Sequence, residues 1–107
     1  MGKIIAIAVL SLASTPGLAQ GAVQEICENL GSIAESAGEM RDKGVSQAHL
    51  KASMLESMNE RRTPQDVIQA TFGAINYAFE RSNRGKSPAL LNGEYYRFCT
   101  AVAQRGS

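Results

Sequence analysis

Three observations predict an all-α fold for this chain, a small up-down four-helix bundle with one disulfide. Apolar residues recur at three- and four-residue steps in four separate segments, and no stretch alternates long enough to read as a strand. The breaks between segments carry Gly44, Pro64 and Pro88, residues that stop or restart helices. The two cysteines, Cys27 and Cys99, lie near the start of the first segment and the end of the last. An up-down-up-down arrangement brings those places to the same end.

Ahead of the helices, residues 1–19 read as a cleavable signal peptide. Met1-Gly2-Lys3 is a short basic start, and Ile4 to Leu12 is an uncharged, almost wholly apolar run. Pro16 breaks any helix, and Gly17 and Ala19 supply the small residues that precede a cut, which is placed after Ala19. A membrane-spanning helix needs about 20 apolar residues, so no membrane insertion is expected once the leader is removed. The short start with one Lys points to a bacterial chain, hence to the periplasm or secretion. Residues 20–107 then form a single helical domain.

The first segment runs from about Gly21 to Lys43. Val23, Ile26, Cys27, Leu30, Ile33, Ala34, Ala37 and Met40 form its apolar stripe. Beside the stripe, Cys27, Gly31, Ala34 and Gly38 make a row of small residues. Glycine in a helix costs roughly 1 kcal/mol relative to alanine, so two on one face imply that another helix approaches closely there. Gly44 stops the helix and Val45 supplies the apolar contact that follows. Ser46 caps the second segment, roughly Gln47 to Glu60, where Ala48, Ala52, Leu55 and Met58 share a face with Met54 beside it.

Thr63-Pro64 reads as a cap followed by a first-turn proline, with Asp66 favouring the free N–H groups of the helix start. The third segment spans about Pro64 to Arg81 and buries Ile68, Thr71, Phe72, Ile75, Ala78 and Phe79, with Tyr77 off that face toward solvent. Ser82 to Lys86 is a polar, basic loop. Ser87-Pro88 repeats the cap-then-proline start, and Leu91, Tyr95, Phe98, Cys99 and Val102 form the apolar face of the fourth segment, about Pro88 to Ala103.

Composition narrows the function. The chain has 107 residues, 44% of them apolar and 20% charged, with two Cys, one His and no Trp. That excludes a multi-His metal site, a four-Cys zinc site and a triad with a spare His; no cofactor is expected. Without Lys3 there are 10 basic and 10 acidic residues and no net charge, which argues against nucleic-acid binding. The acids concentrate in residues 20–60 and the bases in 61–107, as two halves that pack together would have them.

Two cysteines in an exported chain read as one structural disulfide, Cys27–Cys99. It closes a loop of 73 residues, for which the chain-entropy model gives about 4 kcal/mol. His49 has no evident partner, and the pairs Glu35/Glu39 and Glu56/Glu60 read as solvated helix surface. Gly85-Lys86-Ser87 has the end of a phosphate-binding loop without its upstream Gly or preceding strand. Arg81, Arg84 and Lys86 cluster around Gly85 and form the candidate contact for an acidic partner or an anion.

Cys27, Leu30, Ala34, Arg41-Asp42-Lys43-Gly44, Tyr77 and Cys99 give the chain a pattern that resembles small exported two-Cys helical proteins of proteobacteria and their phages. They share an early Cys, a helix ending in an Arg-x-x-Gly turn, a later Tyr-containing helix and a Cys near the C-terminus. Tyr77 follows Asn76 here, where Ala-Tyr is more typical. The resemblance implies the helical, bridged fold and carries no catalytic residue. The expected function is a non-enzymatic periplasmic or secreted protein that binds another protein or assists the cell envelope. The alternatives are an inhibitor or immunity protein against a secreted enzyme, and an acid-stress periplasmic chaperone.

Overall fold

The computed structural model describes residues 16–105, with side chains from Gly21 onward. The segment expected to form the leader lies outside the described residues up to Thr15. The described chain is all helical: α1 (Pro16–Asp42), α2 (Gln47–Glu60), α3 (Gln65–Phe79), a 3-10 turn over Arg81–Asn83, and α4 (Pro88–Arg105). Cys27 and Cys99 are bonded, with Cα atoms 5.5 Å apart. Among the described residues no helix is long and apolar enough to cross a membrane.

α1 is the spine. It packs most extensively on α4 and next on α3, whereas α2 leans chiefly on α3. The row of small residues explains the first contact. A Cβ on Gly31 would meet the Asn92 carbonyl oxygen at 2.9 Å, and one on Gly38 would meet Leu91 Cδ1 at 2.7 Å. Each glycine therefore lets α4 lie against the backbone of α1. Ala34, Ala37, Ala74, Ile75, Ala78, Leu91 and Tyr95 close the core shared by α1, α3 and α4. Glu35, expected on a solvated surface, is half-buried and accepts a 2.6 Å hydrogen bond from Asn92 Nδ2 across the α1–α4 contact.

The turns follow backbone chemistry. After α1 the N–H of Gly44 reaches Arg41 O and that of Val45 reaches Met40 O, with Gly44 at φ +92°. The same pair of bonds closes α2, from Arg62 to Asn59 and from Thr63 to Met58. There Arg62 holds the left-handed position at φ 56°, where glycine is usual. Ser46 Oγ accepts from the His49 N–H, and Ser87 Oγ accepts from that of Leu90, so both serines cap as expected. Thr63 does not cap α3. Pro64 itself, at ψ 150°, is the N-cap residue, because its extended backbone delays the helix to Gln65.

Two packed faces differ from expectation. On α2 the inward residues are Leu50, Met54 and Met58, while Ala48, Ala52 and Leu55 are exposed. Methionine and leucine bury more apolar area than alanine, so the helix settles with its larger side chains inward. On α4, Leu91 and Tyr95 are buried, but Phe98 is 52% and Val102 43% exposed. The reason is length. Arg41, near the end of α1, bonds to Ala78, near the end of α3, so those ends lie together. α1 has 27 residues and α3 has 15, so α1 and its partner α4 continue past the start of α3 with nothing from α3 above them.

Candidate functional site

The basic turn between α3 and α4 is held from below. At Glu80 the backbone turns to ψ 144° and ends α3; the 3-10 turn of Arg81–Asn83 follows. Asn83 is buried and donates through Nδ2 to the Tyr77 carbonyl at 2.8 Å. The guanidinium of Arg41, its side chain only 9% exposed, reaches up from α1. Nη1 donates to Ala78 O at 2.7 Å and Asn83 O at 3.0 Å, and Nη2 to Lys86 O at 2.8 Å. Arg41 Nε also donates to Asp42 Oδ1 at 3.0 Å, which fixes the plane of the fork. One side chain thus supplies donors to carbonyls before, within and after the turn. Only arginine carries enough N–H groups in a rigid plane to do so.

The three cations read from the sequence fare differently. Lys86 Nζ lies 3.0 and 3.1 Å from the two Glu94 oxygens, and Glu94 Oε1 also accepts from the Tyr77 hydroxyl at 2.9 Å. Lys86 therefore fastens the turn to α4. The hydrogen bonds from Lys86 first, and from Tyr77 second, hold the Glu94 carboxyl below the usual carboxylate range. Tyr77, expected toward solvent, is half-buried with its ring 5.1 Å from that of Tyr95. Burial, and then the bond to Glu94, push its phenol up to about 12.

Arg81 and Arg84 are exposed, and neither guanidinium makes a hydrogen bond or ion pair with the described residues. Arg84 forms one wall of an open concavity of about 480 Å³ with a mixed lining, in which Asp42, Ser46, Gln47 and Phe79 are among the other walls. Among the described residues the turn thus presents two unpaired guanidinium groups, that of Arg84 at the edge of this hollow. The role of Arg41 escaped the sequence reading, in which it figures only in the Arg-x-x-Gly turn that ends the first helix. Its partners lie 37 to 45 residues away, and no local pattern announces them.

The remaining candidates are quieter. His49 is exposed in the first turn of α2, and Glu39, Glu56 and Glu60 are exposed. Among the described residues no three His, Cys, Asp or Glu side chains group so as to hold a metal ion. A second hollow of about 300 Å³ lies between α1 and α2, with Ile33, Ala37, Met40, Leu50, Met54 and Ile75 in its lining. It exists because polar contacts set α2 against α3. Gln47 and Lys51 both donate to Asn76 Oδ1, at 2.7 and 2.9 Å, and Lys51 Nζ sits 5.1 Å from the centre of the Phe72 ring. No family model, curated protein or solved structure matches the chain.

Proposed function

We propose that this chain is a non-enzymatic binding protein of the periplasm or the secreted space, released by cleavage after Ala19, that docks an acidic surface of another protein on the Arg81–Lys86 turn. The observation that carries the reading is the Arg41 fork. A turn tied at two of its carbonyls by a side chain that also grips the end of α3 loses little further freedom on binding, so its exposed charges meet a partner already ordered. A disulfide between α1 and α4 is compatible with an oxidising compartment. The resemblance to small exported two-Cys proteins belongs to the same reading. Of its residues, Cys27, Ala34, Arg41, Gly44, Tyr77 and Cys99 all serve the fold. The free contact residues, Arg81 and Arg84, lie outside that set. An inhibitor of a secreted enzyme is the form of this function that a rigidly held turn favours.

The test is affinity capture from a periplasmic extract with the disulfide-bonded protein and its Arg81→Ala/Arg84→Ala variant. Lys86 is left in place because it pairs with Glu94. One dominant acidic protein, retained at low salt by the wild type and lost with the variant, is the expected result. Equal recovery by both proteins refutes the turn as the docking surface.

A further inference from the structure

Asn92 and Gly93 lie in the second turn of α4, where that helix rests against the backbone of α1. Asn92 Nδ2 donates to Glu35 Oε1 at 2.6 Å, and both side chains are half-buried. Gly31 faces the pair, since a Cβ there would meet the Asn92 carbonyl oxygen at 2.9 Å. Gly93 has no such reason to be glycine. A Cβ on it would meet only Arg97 Nη1, at 3.5 Å, so packing leaves room for a side chain, and glycine weakens a helix.

An asparagine followed by glycine has a chemistry of its own, because no Cβ hinders the next backbone nitrogen from reaching the side-chain amide. The Gly93 nitrogen gives up its proton and bonds to Asn92 Cγ, the Cγ–Nδ2 bond breaks, and ammonia leaves. Water then opens the five-membered imide. Attack at Cγ leaves aspartate; attack at the main-chain carbon leaves isoaspartate, with the chain running through the side chain. In sum, an amide and a water become a carboxylate and ammonium, with nothing oxidised or reduced. The other four asparagines precede Leu30, Glu60, Tyr77 and Arg84, whose side chains hinder the same attack. The helix withholds the reaction. Its geometry turns the Gly93 nitrogen away from Cγ and toward the carbonyl of Ala89, while Glu35 holds Nδ2.

We propose that Asn92–Gly93 is a self-modification site guarded by the fold: silent while α4 is wound against α1, open to deamidation in the unfolded chain, and blocking the α1–α4 contact once converted. Aspartate at position 92 sets a second carboxylate against that of Glu35, in place of the donor, at hydrogen-bond distance in a half-buried contact. No cation is at hand to offset it. The ion pairs among the described residues are Arg41–Asp42 and Lys86–Glu94. Glu28 and Glu39 share the Glu35 side of α1 by helical spacing and add only like charge. On α4 the neighbours of Asn92 are Pro88, Ala89 and Tyr96, and Arg97 lies beside Gly93, well round the helix. Isoaspartate lengthens the main chain as well and breaks the helix. A chain that lingers unfolded is thereby marked and kept from its native packing.

Peptide mapping by mass spectrometry follows Asn92 in the disulfide-bonded protein and in the reduced chain unfolded in guanidinium chloride, both held at mildly alkaline pH and physiological temperature. Conversion to the acid is expected to run at least about tenfold faster in the unfolded chain, ahead of the other four asparagines. Gly93→Ala should slow it there at least about tenfold. Asn92→Asp makes one product directly and should lower the melting temperature of the disulfide-bonded protein by about 5 °C or more. Glu35→Gln/Asn92→Asp exchanges donor and acceptor and should recover most of that fall. Equal rates in the folded and unfolded forms overturn the proposal, as does an unfolded chain in which Asn92 outlasts the other asparagines. An Asn92→Asp variant as stable as the wild type overturns it too. If that variant does not fold at all, the exchanged pair decides: a folded double variant supports the proposal and an unfolded one overturns it.

Discussion

Replacing Arg41 by alanine leaves the carbonyls of Ala78, Asn83 and Lys86 without their guanidinium donor, in a place largely closed to water. Hydrogen bonds to charged groups contribute about 1.5–3 kcal/mol each and do not add, so Arg41→Ala is expected to cost about 3 kcal/mol in urea unfolding of the disulfide-bonded protein. Arg41→Lys recovers little of it, because an ammonium cannot span three carbonyls from one plane. Tyr77 contributes to the alkaline limit of stability, together with Tyr95, whose phenol is also pushed up by burial. Folding raises the Tyr77 pKa from the ordinary 10.0 to about 12, so its contribution is complete below pH 10.0 and is lost as the pH climbs through 12. Glu94 works at the other limit. Its pKa is lowered on folding from the ordinary 4.5, so its contribution stands above that pH and fades as the pH falls below it. Tyr77→Phe should shrink the phenolate absorbance step near pH 12, leaving the part that Tyr95 contributes, and flatten the loss of melting temperature between pH 10 and 12. A wild-type phenol titration complete by pH 10 would contradict this assignment.

At the scale of the helices, two glycines have opposite uses. Gly31 sits where a Cβ would strike the Asn92 backbone, whereas one on Gly93 of α4 would meet only the end of Arg97 at 3.5 Å. Gly31→Ala gains about 1 kcal/mol of helix propensity and loses more to overpacking, for a net destabilisation of about 1–2 kcal/mol. Gly93→Ala keeps the gain and raises stability by up to about 1 kcal/mol. Thermal unfolding of the pair checks both signs. The close α1–α4 contact was legible beforehand, because glycine on a helix is costly enough to need a reason. The packed side of α2 was not. Its apolar residues offer two faces; the one with the larger side chains, Leu50, Met54 and Met58, packs inward, and Asn76 and Phe72 of α3 hold Gln47 and Lys51 beside it. Phe98 and Val102 carried a clear apolar pattern, yet periodicity says nothing of how far the covering helix extends.

For the molecule as a whole, the bridge and the Arg41 fork fasten α1 to the rest of the chain at two separated levels. Cys27–Cys99 does so toward one end and the α3–α4 turn at the other. The bridge joins residues 72 apart in sequence. Reduction should therefore lower stability by about 4 kcal/mol, with a fall in melting temperature of about 15 °C or more. Cys27→Ser, Cys99→Ser and the double variant should lose the same amount, since each removes the same link. Unequal losses would show that one sulfur also contributes by packing. This pairing was readable from cysteine positions alone, as were the helix count and the capping serines. The candidate site was readable only in outline. A cluster of three cations stood out, but the sorting of Lys86 from Arg81 and Arg84 depends on Glu94, which the fold brings beside it.

The dependence of α1 on α4 also orders events in time. A chain made N-terminus first exposes α1 early, yet the surface against which Gly31 and Gly38 fit arrives only with Leu91 and Asn92 of α4. Until then α1 has two helix-weakening glycines on its packing face, the core shared by α1, α3 and α4 is incomplete, and Cys27 has no partner sulfur. The core and the bridge thus close together, and only once α4 has been made.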